Sequence, residues 1–130
     1  MRIHTAVGQY MASPETLFNL LSKEENLPKW ATKFCASIEK RHDDYIMTTT
    51  NGQELLFKIE SNAKTGTIDM AAGPNKEMMW GGPHRVASDN MGGSLFIFTH
   101  IQAPGQPDEE FEAGCNGLAE EFEVIRSLVE

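Results

Sequence analysis

The chain has 130 residues and a net charge of −8 with His neutral, from 11 Lys and Arg against 19 Asp and Glu. That length suits one domain, residues 1–130, and an acidic chain without a Lys/Arg stripe argues against nucleic acid and against an anionic membrane surface. An apolar content of 40% is too high for disorder, and no run of about 18 apolar residues is present to cross a bilayer.

The acid is unevenly spread. From Pro107 to Glu130 there are eight acids and one base, Arg126, which is −7 of the −8. The start, Met1-Arg2-Ile3-His4-Thr5, lacks the charged-then-apolar pattern of a secretory signal. Cys35 and Cys115 lie far apart without a partner motif. A cytoplasmic protein with free thiols is the expectation.

Residues 2–11 read as a strand, with Ile3, Thr5 and Val7 in alternation. Ser13-Pro14-Glu15 starts a helix, with Ser13 as N-cap, Pro14 at the first position and an acid in the first turn. It ends near Ser22, and a second short helix is expected over Glu24–Trp30. From residue 33 the period becomes two. Asn51-Gly52 between Tyr45–Thr50 and Gln53–Glu60 is a hairpin signal. A two-residue turn pairs Thr48 with Leu55 and Ile46 with Phe57, which points Ile46, Thr48, Leu55, Phe57 and Ile59 inward. Tyr45, Met47 and Leu56 then face outward.

Thr65–Ala71 reads as the next strand, and Glu77–Val86 as another with a Gly81-Gly82-Pro83 irregularity. Ser94–Gln102 is a further strand. Pro107 opens the longest helix. Its stripe Phe111, Cys115, Leu118, Phe122, Ile125, Val129 keeps one face apolar, with Gly114 and Gly117 beside it. The order predicts an α+β helix-grip fold. A curved antiparallel sheet of about six or seven strands wraps around the C-terminal helix, and two short helices follow the first strand. The acidic tail becomes the solvated outer surface of that helix.

Three stretches carry a family resemblance. They are Ala12-Ser13-Pro14-Glu15-Thr16-Leu17-Phe18-Asn19-Leu20-Leu21 leading to Trp30, Gly92-Gly93-Ser94 opening a strand that ends Phe98-Thr99-His100, and Pro107-Asp108-Glu109-Glu110-Phe111 running to Leu128. Through them the chain resembles the START-like (SRPBCC) superfamily, which includes polyketide cyclases and dehydrases, plant pollen-allergen proteins and heat-shock-ATPase activator domains. The resemblance covers nearly the whole chain. It implies an elongated cavity between helix and sheet, used across that family for lipids, hormones or polyketides, for cyclisation or dehydration, or for protein partners.

No motif for nucleophilic catalysis, phosphate or nicotinamide binding is present, nor a Cys-x-x-Cys or His-Glu-x-x-His, so neither metal nor cofactor is expected. What remains is a cavity lining. Phe96, Phe98 and His100 share one face of their strand, taken as inward on the resemblance, and Trp80, His84 and Val86 share parity on the preceding one. His84 and His100 read either as polar groups that orient a ligand or move protons, or as core histidines bonded to neighbours. Trp30 and Trp80 read as pocket walls or as plain core. Arg85 reads as outward and paired with an acid, or as an anchor for an acidic ligand. Gly114 and Gly117 leave room either for a ligand under the helix or for close packing.

The expected function is binding of a small apolar or aromatic ligand by Trp30, Ile46, Thr48, Phe57, Trp80, His84, Phe96, Phe98, His100, Gly114, Gly117, Leu118 and Phe122. One alternative is a cyclase or dehydratase in which His84 or His100 moves protons. Another is an interaction module or homodimer that uses Tyr45, Met47 and Leu56 as an exposed apolar patch.

Overall fold

A computed structural model describes all 130 residues. The chain runs β1 (Ile3–Tyr10), α1 (Pro14–Leu21), a 3-10 turn (Glu24–Asn26), α2 (Leu27–Trp30), β2 (Cys35–Arg41), β3 (Asp44–Thr49), β4 (Glu54–Asn62), β5 (Thr67–Asn75), β6 (Met78–Gly82), β7 (His84–Ser88), β8 (Ser94–Ile101) and α3 (Asp108–Val129). All strand pairs are antiparallel, in the order β1-β8-β7-β5-β4-β3-β2, with β6 added to β5. This is the helix-grip arrangement: a curved sheet, a long terminal helix over its inner face and short helices after the first strand.

The sheet has eight strands because Pro83, which lacks an amide donor, breaks the expected Glu77–Val86 strand in two. The first piece folds back onto β5, pairing Ala72 with Trp80 and Ala71 with Gly81. Gly73 and Gly81 permit this approach, since a Cβ at either would overlap a carbonyl oxygen of the facing strand. The second piece pairs with β8, His84 opposite Phe98. Inward parity survives the break: His84 and Val86 are buried.

The hairpin between β3 and β4 departs from expectation by one residue. Gly52 takes φ +90° and closes a three-residue loop, Thr50-Asn51-Gly52. The Thr49 amide donates to the Gln53 carbonyl at 2.8 Å, and the Gln53 amide donates back to Thr49 Oγ1 at 3.0 Å. Met47 therefore pairs with Leu55, Tyr45 with Phe57 and Ile46 with Leu56. A slip of one residue reverses a strand's faces, so Met47 is buried, while Ile46 and Thr48 turn to the outer side of the sheet.

The local signal at the start of α1 holds, and that of α3 is displaced by one residue. Ser13 Oγ accepts the Thr16 amide at 3.2 Å and caps α1. Pro107 is the residue before α3 rather than its first position, with Asp108, Glu109 and Glu110 in the first turn. On α3, Phe111, Leu118, Phe122 and Ile125 are buried as their spacing requires. Tyr10 ties this helix to β1: its hydroxyl donates to the Phe122 carbonyl at 3.0 Å. One acid of α3 does not face solvent, since Glu121 is only 4% exposed.

Candidate functional site

Between the inner face of the sheet and α3 lies a cavity of about 520 Å³, within the range of small-molecule sites. Phe57, Met70, Trp80, His84, Phe98 and His100 project into its walls from β4 to β8. Trp30 closes one end from α2, and α3 contributes Gly114, Leu118 and Glu121. Its rim includes the exposed Phe34, Gln53 and Pro74 and the segment 103–107. No Lys or Arg borders it, whereas two acids do, Glu110 at the rim and Glu121 inside.

Eight of the residues expected from the sequence border this space: Trp30, Phe57, Trp80, His84, Phe98, His100, Gly114 and Leu118. Five do not. Ile46 and Thr48 lie on the outer side of β3 because of the register slip. Phe96 and Phe122 point inward but pack on each other at 5.5 Å between ring centres, in the solid core beside the cavity. Gly117 faces the Lys33 side chain, which a Cβ there would meet at 3.1 Å. Gly114 borders the cavity, yet the space its missing side chain leaves belongs to the His100 ring: a Cβ would meet Cε1 at 2.7 Å. Close packing accounts for both glycines. Arg85 is outward and pairs with Asp69 at 2.8 Å.

His84 is 2% exposed, stacked on Phe98 at 3.8 Å between ring centres and edge-on to Phe96. Its Nδ1 accepts the Thr99 amide at 3.1 Å. An acceptor nitrogen carries no proton, so the neutral ring holds its proton on Nε2. Burial pushes its pKa down to about 4, an effect that Asp69 opposes and that His100 and Arg85 reinforce. The ring is therefore neutral at physiological pH.

His100 is partly buried against Phe111, with ring centres 4.7 Å apart, and its Nδ1 lies 3.5 Å from Cys115 Sγ. Burial, with help from His4, lowers its pKa. Phe98 stands between the two histidines, stacked on His84 and edge-on to His100 at 6.5 Å. They do not form a hydrogen-bonded pair.

Glu121 is the site residue that sequence reasoning missed. Its Oε2 accepts the Lys33 amide at 3.1 Å, and burial raises its pKa to about 7, outweighing that hydrogen bond and Lys33. The signal was available: Gly114, Leu118, Glu121 and Ile125 follow one another at 4-3-4 spacing, which places Glu121 on an inward line of the helix. The acidic composition of the segment concealed it.

No family model matches the chain, and no curated protein does. Solved structures do match its fold. The protein XoxI from Bacillus cereus superposes with a TM-score of 0.77 at 15% identity, over 99% of this chain and 96% of that one. The Aha1 dimer from Colwellia psychrerythraea gives 0.70 at 19% identity, over 100% and 97%. Ara h 8.0201 gives 0.66 at 18% identity, over 98% and 97%. At these identities the likeness establishes the shared fold. No helix of the chain is long and apolar enough to cross a membrane.

Proposed function

We propose that this chain is a single START-like domain that binds a small, largely apolar or aromatic molecule between sheet and helix. One observation carries the reading: a cavity of about 520 Å³ walled by Trp30, Phe57, Trp80 and Phe98 and containing few polar groups. Ring-bearing side chains offer flat apolar contact, and isolated polar groups in such a space orient a ligand. Both tryptophans of the chain border the cavity, so its occupancy is readable directly. Titration with neutral bicyclic aromatics should quench or shift tryptophan emission saturably. It should also raise the melting temperature as ligand concentration rises. A panel of such compounds that changes neither signal would sink the reading.

A cyclase or dehydratase has less support. A histidine with a pKa of about 4 and one nitrogen held by a backbone amide is a poor proton shuttle near neutral pH. The separation of His84 from His100 by Phe98 removes the acid–base pair that the reaction would use.

A homodimer through Tyr45, Met47 and Leu56 loses its basis, since Met47 is fully buried and the Tyr45 hydroxyl bonds to Glu25. The face that favours self-association instead is that of β1. It lies at the sheet edge, with Ile3 and Val7 at 65% and 58% exposure opposite Ile101 and Ile97 of β8. Light scattering across concentration decides the matter. A mass of one chain at every concentration would exclude the dimer.

A further inference from the structure

The polar inventory of the cavity narrows the ligand further. The His84 side chain makes one hydrogen bond, through Nδ1. Its Nε2–H has no acceptor in the protein, although the ring is 2% exposed. No side-chain nitrogen or oxygen is both sealed from solvent-sized space and unpartnered. Nε2 therefore opens onto the cavity that the residue borders. A donor that opens onto an otherwise apolar space is met by water or by a ligand oxygen, and a ligand oxygen placed there takes over that hydrogen bond. The Thr99 amide fixes the tautomer, and Phe98 beneath and Phe96 at the edge fix the ring plane. The donor direction is thus set before any ligand arrives.

Charge excludes one group of acceptors. No Lys or Arg borders the cavity, while Glu110 and Glu121 do, and Arg85 is committed to Asp69 outside. A carboxylate, sulfonate or phosphate ligand would enter an apolar space with no counter-charge and acids for neighbours. An uncharged oxygen acceptor, such as a ketone, aldehyde or ester carbonyl, avoids that cost and keeps the hydrogen bond.

We propose that the cavity selects an uncharged aromatic or apolar ligand bearing a carbonyl oxygen, and that the Nε2–H of His84 is the donor that receives it. This rests on the cavity-binding reading above. His84 is a specificity determinant, and the apolar lining without Lys or Arg is the barrier to anions.

The test uses three fluorescent naphthalenes. The first is a propionyl-dimethylaminonaphthalene, which carries a ketone. The second is the same molecule without the propionyl group, and the third is an anilinonaphthalene sulfonate. The ketone should bind the wild-type chain about tenfold tighter than its ketone-free analogue, the worth of one neutral hydrogen bond. Its emission, moved to the blue of its position in water by the apolar walls, should lie further to the red in the wild-type complex than in the His84→Phe complex, where its carbonyl has no donor. The sulfonate should bind more weakly than the ketone. In His84→Phe, which keeps an aromatic ring to stack on Phe98, the ketone's advantage should vanish while the ketone-free probe still binds. Nitrogen-15 spectra of wild-type protein read the same contact without a variant. They should show one bare and one protonated ring nitrogen for His84, with the Nε2 resonance moving on addition of the ketone and not of its analogue. Equal binding of ketone and ketone-free probes with an unmoved Nε2 resonance would overturn this inference and leave the cavity reading standing. Tighter binding of the sulfonate would overturn the exclusion of anions. Binding of none of the three would overturn both readings.

Discussion

At the scale of single residues, two buried titratable groups give the cavity opposite responses to pH. Glu121 is raised from 4.5 to about 7, so the folded protein holds its proton more tightly than the unfolded chain does. Its contribution to stability is complete below about pH 4.5 and is lost as pH rises through 7. Lys33 and Glu120, the charged groups around it, modulate this less than burial does. Glu121→Gln should therefore raise the unfolding free energy read from urea titration at pH 8, by as much as about 3 kcal/mol, and leave it little changed at pH 4. His84 runs the other way. Its pKa falls from 6.5 to about 4, so its contribution is present above pH 6.5 and is lost as pH drops through 4. Replacement by Phe should remove that acid-side loss and leave the Glu121 response uncompensated, so chemical denaturation should show the variant gaining stability from pH 7 down to pH 4 where the wild-type protein changes little. Since the two windows overlap, the wild-type protein should vary less with pH between 4.5 and 6.5 than either variant.

At the scale of elements, α3 shows how a rule of local propensity is overridden by its neighbours. Glycine inside a helix costs about 1 kcal/mol relative to alanine, so Gly114→Ala should stabilise an isolated helix. Here the new methyl would meet His100 Cε1 at 2.7 Å. The substitution should destabilise the folded protein, because the ring is packed against Phe111 and Cys115. In a His100→Ala background the same change should stabilise by about 1 kcal/mol. This reversal of sign in a double-mutant cycle measures the contact. No change of sign would mean that the ring moves aside freely. The β3–β4 hairpin makes a similar point. Asn51-Gly52 marked the turn correctly, but the dipeptide is compatible with loops of two or three residues. Tertiary partners settled the length: the Thr50 amide donates to the Phe34 carbonyl, and Thr49 Oγ1 holds Gln53.

At the scale of the molecule, the cavity is an incomplete core. Phe96, Phe122, Ile125 and Leu17 fill one part of the space under α3, while the volume between Trp30 and Trp80 is left open. Voids forfeit packing contacts and lower stability. Filling this one should exchange binding for stability. Ala72 borders the cavity, and Ala72→Leu should raise the thermal midpoint, by about 1 kcal/mol of stability, while abolishing probe-induced changes in tryptophan emission. Unaltered probe binding in a folded Ala72→Leu protein would place the ligand elsewhere.

The sequence by itself determined the order of elements, the caps of α1, the buried stripe of α3 and the alternation that groups Phe96 with Phe98 and His84 with Val86 on shared faces. These follow from periods and end signals that are local to the chain. Only the tertiary structure decided the face of β3, the pairing of β6 with β5 after the break at Pro83, which aromatic rings fill the core and which line the cavity, and what occupies the space beside Gly114 and Gly117. Each of these depends on a partner distant in sequence. The uneven charge follows the same division. The helix dipole and the apolar stripe made −7 in the last 24 residues the solvated outer face of a helix. Packing of α3 against the loop at Lys33 turned one of those acids, Glu121, into the cavity, where burial rather than charge sets its chemistry.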